Sequence, residues 1–367
     1  MLRIILLPSI LILCSVTFAL AQSTSKPFRI GVAGLTHGHV GGILNRAHDG
    51  DIEIVGIAEP DRALAEQYLT RYKLPMTLWY ASLTEMLDKT KPEAVTGFNS
   101  TFEHLETVKA CAPRNIHVMV EKPLAVSNDH ASQIKALAAK HKIHVLTNYE
   151  TTWYGSNTNV RDLFIAAHPF GKIRKVVVHD GHQGPKEIHV GPEFLNWLTD
   201  PVKNGGGAVM DFGCYGANLL TWLMNGQRPL AVFAVTQQLK PAIYPKVDDE
   251  ATIVLTYPDG QGIIQASWNW PFGRKDMEIY GETGYVIADK QGSKIRSAQD
   301  KPEEYVKSPD LAKPYNDPFA YLAAVVRGEV NVSATDLSSL ENNLLVVEIL
   351  QAAKESAAQK KLIYLTK

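Results

Sequence analysis

Short apolar runs alternate with helix-patterned segments through residues 28–148, and this alternation constrains the chain more than any other feature. The runs 28–33, 51–58, 94–99, 116–120 and 144–148 have strand length and are rich in β-branched residues. Runs of that kind fit a parallel sheet covered on both faces. The spacing predicts helices over 62–72, 102–111 and 128–141. Ser82 with Glu85 reads as a capping box that opens another helix through Leu87. The expected class is therefore α/β, with a doubly wound parallel sheet in the first half.

Open sheets of this kind bind ligands at the carboxyl ends of their strands. The run 116–120 ends there in Glu121, Lys122 and Pro123, and the proline ends the ladder while biasing Lys122 to an extended backbone. A glycine-rich turn, residues 34–42, follows the first run. Its residues Gly34, Thr36, His37, Gly38 and His39 stand in place of a G-x-G-x-x-G dinucleotide fingerprint, with only the first glycine kept. Helix N-terminal amides after the turn are available to phosphate. Glu59 ends the second run, where an acid binds the adenosine ribose hydroxyls and favours NAD, while Arg62 nearby keeps NADP within reach.

From residue 173 the alternation stops. Runs at 172–179, 230–238, 250–257, 262–270, 277–280 and 285–288, with turn signals at 258–260 and 282–284, read as antiparallel hairpins. Between the first two lie Gly205, Gly206 and Gly207 and a helix expected over 209–225, closed by Gly226. Asp211, Tyr215, Asn218 and Trp222 recur at steps of four, three and four, on one face of that helix. Polar residues inside an apolar helix need partners or a task. A last helix is expected over 337–358, with Asp336 as its N-cap.

Arg3 precedes an apolar run over 4–20, and Ala19-Leu20-Ala21 before Gln22 matches a cleavage site. Residues 1–21 thus read as a Sec-type signal peptide. The expected location is periplasmic or extracellular, without stable membrane insertion after cleavage. The formal net charge of −1 supplies no basic field, so no nucleic-acid partner is expected. Cys111 and Cys214, which follow the signal, are too few for a disulfide framework and read as buried thiols, with a single bridge as the alternative.

The E-K-P at 121–123, the glycine turn after the first strand and the G-G-G-A-V-M-D-F-G-C-Y from Gly205 to Tyr215 together resemble the glucose–fructose oxidoreductase/inositol dehydrogenase (Gfo/Idh/MocA) family. The resemblance covers nearly all of the chain after residue 21. It implies a nicotinamide-binding Rossmann domain over 26–148 and a substrate-binding α+β domain with an open, mainly antiparallel sheet over 149–367. The last helix is expected to return to the Rossmann domain. Lys122 matches the family's catalytic lysine, Asp211 the acid of its glycine-rich helix, and Tyr215 the position of its histidine or tyrosine. His104 resembles the family's histidine that opens the helix after the fourth strand, Asn99 and Ser100 match its nicotinamide edge, and Glu121 is a further expected cofactor contact. The arginine often found after the sixth strand is missing from 147–153.

The implied reaction is hydride transfer between NAD or NADP and a sugar, cyclitol or related polyol. Tyr215 is the expected acid/base, with the Lys122 ammonium lowering its pKa. Trp153 and Asn218 are the expected substrate contacts; Trp268 and Trp270 read as core residues with stacking as the alternative. His179, His182 and His189 with Asp180 lack fixed ligand spacing, so no metal is expected. An exported glycosidase with a transient NAD redox cycle, or a noncatalytic binding protein, would fit the same scaffold. Self-association through the open sheet is expected.

Overall fold

The computed structural model describes residues 26–365. The signal peptide expected at 1–21 lies outside the described residues.

The first half forms a six-stranded parallel sheet from β1 (Phe28–Ala33), β2 (Ile52–Ala58), β3 (Trp79–Tyr80), β4 (Ala94–Gly97), β5 (His117–Glu121) and β6 (Val145–Asn148), in the order β3-β2-β1-β4-β5-β6. This is the dinucleotide-binding order, with the crevice at the reversal between β1 and β4. Helices α1 (Val40–Arg46), α2 (Arg62–Arg71), α3 (Leu83–Thr90), α4 (His104–Cys111) and α5 (Asn128–His141) cover its faces. Ile30, Val32, Ile57, Val118 and Val120 are fully or nearly fully buried, as expected for strands covered on both sides. Each such side chain contributes about 1.5–3 kcal/mol by leaving water. Ser82 does occupy the N-cap of α3, but its side chain makes no cap bond. The capping box that forms is instead Ser100 with Glu103.

After α6 (Ser156–Arg161) the second half builds a nine-stranded sheet. Its strands are β7 (Lys175–Gly181), β8 (Ala231–Gln237), β9 (Glu250–Thr256), β10 (Gln261–Ser267), β11 (Arg274–Tyr280), β12 (Tyr285–Asp289), β13 (Gly292–Arg296), β14 (Glu304–Lys307) and β15 (Ile363–Tyr364). All neighbours are antiparallel except β7 and β10. One face packs on α9 (Gly213–Leu223) and on α11 (Leu340–Gln359), and α7 (Pro192–Leu198), α8 (Ala208–Asp211) and α10 (Pro318–Val326) complete the helices. The N-cap of α11 is Ser339, whose side chain accepts the Asn342 amide. Asp336 instead accepts the Ser338 amide and the Tyr321 hydroxyl.

Chain order and spatial packing part company near the end. Phe319, Tyr321, Leu322 and Val325 of α10 bury into the core of the parallel sheet. Along α11, Val346, Ile349 and Leu350 join the core of the second sheet, and Val347 joins that of the first. No helix among the described residues is long and apolar enough to cross a membrane.

Candidate active site

Lys122 leaves the end of β5 at the crevice between the two sheets. His104, expected beside the cofactor, is buried beneath this turn, its Nδ1 3.1 Å from Pro123 O and 3.2 Å from Leu124 O. Carbonyls only accept, so that nitrogen carries the proton and fixes the lysine's loop. Lys122 Nζ donates to Asp211 Oδ1 at 2.5 Å and to Asp211 O at 3.0 Å. Asp211 Oδ2 accepts the Trp268 indole N–H at 3.0 Å. Burial opposes charge on both partners, yet each stabilises the other's ion: the Lys122 pKa is raised and that of Asp211 lowered. Trp268 is fully buried and therefore acts on the site through Asp211, not by stacking on a ligand.

The helix expected over 209–225 breaks at Phe212, between α8 and α9. Asp211 O accepts Lys122 Nζ and the Cys214 thiol at 3.3 Å, while the Tyr215 amide turns to Phe212 O at 3.1 Å. The break brings both Asp211 and Tyr215 to Lys122. Asn218 leaves the site: it is fully buried and donates to Leu337 O at 2.8 Å, so it fastens the chain before α11 and contacts no cleft. Trp153 is also misplaced by the sequence reading. Its N–H donates to Asn148 Oδ1 at 2.9 Å, and its ring lines a different cavity from the one that holds Lys122.

Tyr215 is 1 % exposed, with Lys122 Nζ 5.0 Å and Lys275 Nζ 4.3 Å from its ring centroid. Burial, followed by the field of Asp180, raises its pKa well above 10, contrary to the expected lowering. The lysines face the ring, and their charges are already matched by Asp211 and by Glu150, 2.6 Å from Lys275. Lys275, Asp180 and Glu150 were missed as site residues. Strand parity carried a signal for two of them: Asp180 follows buried Val176 and Val178 on the inner face of β7, and Lys275 precedes buried Met277 and Ile279 on β11. The two are direct cross-strand partners. Lys275 pairs with Glu150, Asp180 Oδ1 has no hydrogen-bond partner, and burial raises the Asp180 pKa.

Beside Lys122, Glu121 is clasped from three sides. His39 Nδ1 lies 3.0 Å from Oε2, His37 Nε2 lies 4.0 Å from the same oxygen, and Asn148 Nδ2 donates to Oε1 at 2.8 Å. Burial would raise the Glu121 pKa, but the histidines bring it down to about 2. Burial pushes His37 well below its ordinary value. Its Nδ1 accepts the His39 amide at 3.2 Å, which leaves the ring proton on the Nε2 that faces Glu121. His37, His39 and Glu121 have the spacing of a metal triad; His39 and Asn148 hydrogen-bond Glu121, while His37 Nε2 stays 4.0 Å away without a hydrogen-bond partner. The histidines of the second half do not converge. His179 meets Asp276 at 3.0 Å on the opposite face from Asp180, whereas His182 and His189 line the Lys122 cleft.

A dinucleotide fits the residues around the glycine turn. A cavity of ≈ 670 Å³ beside it is lined by Gly34, Thr36, Glu59 and Asn99, and the cleft with His37, Gly38, His39, Lys122 and Tyr215 opens on its other side. Gly34 has φ +82°, and a Cβ there would meet Asn99 N at 2.9 Å, so only glycine allows this close turn. Asn99 Oδ1 is buried without a partner. Glu59 accepts the Leu35 and Asp61 amides, each at 2.9 Å, and retains lone pairs toward the cavity for ribose hydroxyls. Ser100 is tied into its capping box, and the Thr36 hydroxyl is directed at Phe98 O at 3.4 Å, not at a phosphate. Trp197 Nε1 donates to Thr36 O at 3.3 Å, and Phe194 lies 4.7 Å from the His37 ring, so α7 covers the turn.

Residues 28–149 match the family model of an oxidoreductase family with an NAD-binding Rossmann fold, and residues 161–287 match the Gfo/Idh/MocA C-terminal domain. A dTDP-3,4-didehydro-2,6-dideoxy-alpha-D-glucose 3-reductase of Saccharopolyspora spinosa is 25% identical over 267 residues, 72% of this chain and 75% of that protein. A trans-1,2-dihydrobenzene-1,2-diol dehydrogenase of Sus scrofa is 24% identical over 238 residues, 64% of this chain and 66% of the relative. In fold, the chain is similar to an inositol dehydrogenase homolog complexed with NAD+ from Azotobacter vinelandii, with a TM-score of 0.78, 16% identity, and 93% and 98% of the two chains covered.

Proposed function

The chain belongs to the Gfo/Idh/MocA family of NAD-binding oxidoreductases, and from that premise we propose that it moves hydride between NAD(P) and a secondary hydroxyl of a sugar, cyclitol or related polyol. The observation that carries this reading is the buried Lys122–Asp211 ion pair set against Tyr215 at the crevice between the sheets. The bound nicotinamide would supply or accept the hydride. Gly34, Glu59 and Asn99 would hold its adenosine side, and the Glu121 clasp its nicotinamide side.

Tyr215 works from its protonated state. In the reducing direction its phenol gives a proton to the substrate carbonyl oxygen as the carbon gains hydride. The phenolate so formed shares the cleft with Lys122 and Lys275, whose ammonium groups lie 5.0 and 4.3 Å from its ring centroid and are held in place by Asp211 and Glu150. Solvent in the cleft then returns the proton. Oxidation is the reverse, and it requires the phenol to lose its proton first. This differs from a tyrosine poised as a base, and it favours carbonyl reduction near neutral pH.

Export and self-association complete the reading. Residues 1–21 carry the signal pattern, and Phe233 and Val235 expose an apolar edge on the open face of the second sheet. One preparation tests the whole. Purified protein should retain or bind NAD(P) and change nicotinamide absorbance with a ketose or polyol. Aglycone release from aryl glycosides without net reduction would replace this reading with the redox-cycle glycosidase. Failure to bind nicotinamide would leave a noncatalytic binding protein.

A further inference from the structure

The cavity that Trp153 lines lies apart from the Lys122 cleft. It measures ≈ 470 Å³, within the usual size of small-molecule sites. Trp153, Tyr154, Trp222 and Tyr321 wall it, and half-exposed Tyr315 stands beside Tyr321 with ring centroids 5.9 Å apart. The same wall includes Thr158, Asn225, Ser333 and Thr335, and the Ser333 and Thr335 hydroxyls lie 3.4 Å from each other. Of the charged groups in the wall, Asp336 accepts the Ser338 amide at 2.8 Å and the Tyr321 hydroxyl at 3.0 Å, while half-exposed Arg161 reaches only the neighbouring, exposed Asp162 at 3.4 Å.

We propose that this cavity is a second binding site, distinct from the catalytic cleft, for an uncharged sugar or cyclitol ring. A cation would meet Asp336 already bonded twice, and an anion would meet only the solvated Arg161 beside Asp162, so a charged ligand gains little for the hydration it loses. A purely apolar one would cover the Thr158 hydroxyl and the Asn225 amide without giving either a partner. A sugar ring meets both demands, with a C–H face for the aromatic walls and a hydroxyl rim for the polar groups. The site also touches the cofactor clasp, because the Trp153 N–H fixes Asn148, and Asn148 donates to Glu121. Binding here needs no turnover, so the inference stands apart from the redox reading.

The test is titration of cofactor-free protein with D-glucose, D-galactose and myo-inositol, followed by tryptophan fluorescence and saturation-transfer NMR. Wild type and Tyr215→Phe should bind at least one of the three saturably. Trp222→Ala should bind it about tenfold more weakly, the effect of losing one aromatic contact. Thr335→Val, which removes one hydroxyl, guards against misfolding of the first variant and should weaken binding several-fold. Three results would overturn the proposal: no saturable binding to wild type, wild-type affinity in both cavity variants, or loss in Tyr215→Phe alone. A protein that binds sugar here yet turns nothing over would contradict the redox reading and leave this site standing.

Discussion

At the residue scale, the site is defined by which buried charges have partners. Asp180 Oδ1 has no hydrogen-bond partner, and burial, outweighing the fields of Lys275 and Lys122, raises its pKa so that ionisation is resisted in the fold. A carboxyl of that kind costs stability as pH rises through its unfolded value of 3.8. Asp180→Asn should therefore melt at or above wild type at pH 7, and the difference should vanish below pH 3.8; a loss of more than about 2 kcal/mol would show a paired carboxylate. Glu121 is the opposite case. Its pKa falls from 4.5 to about 2, so it stabilises the fold above 4.5 and loses that contribution as pH falls toward 2. The stability gap between wild type and Glu121→Gln should be constant above pH 5 and shrink by up to about 3 kcal/mol on acidification. A gap independent of pH in urea titrations would refute the clasp. Lys122 and Asp211 were legible from their motifs. The protonation state of Tyr215 was not, because it depends on burial and on Asp180, which lies 35 positions away in sequence (215 − 180).

At the scale of elements, the break at Phe212 matters most. Nothing in Val209 to Tyr215 forbids a continuous helix, so the sequence showed the helix and hid its interruption. The cause is tertiary. Asp248 accepts the Gly207 and Val209 amides at 2.8 and 2.7 Å, capping α8, while Asp211 O turns to Lys122. A Cβ on Gly207 would collide with Asp248 O. Gly207→Ala should cost about 1–3 kcal/mol and displace Asp211 from Lys122, lowering turnover more than cofactor affinity. Thermal melts with nicotinamide titration check this, and an alanine variant with wild-type stability and turnover would contradict it. The step pattern through Asn218 and Trp222 misled for the same reason, since helical spacing places side chains on a face without saying what covers it. The inward Asp180 and Lys275 were readable from strand parity, but only once the strands were paired.

At the scale of the molecule, two sheets meet across one crevice and are bound together by late chain segments. Five of the six parallel strands were legible because each is an apolar run between helices; β3, only Trp79 and Tyr80, was too short to read. Strands β13 and β14 were not, being short and largely polar at the edge of the second sheet. The return of α10 to the first sheet was equally hidden, since an apolar helix does not name its partner. Trp197 to Thr36 and Tyr68 to Glu193, at 3.3 and 2.6 Å, join the domains over the glycine turn. These bonds hold the glycine turn and the Lys122 cleft as one unit, in which the central claim can be tested by a single rate. That rate is single-turnover hydride transfer in Tyr215→Phe, read from nicotinamide absorbance with cofactor bound to saturation. The account predicts a fall of about 10²–10⁴-fold with cofactor affinity unchanged; a rate within a few-fold of wild type would contradict it.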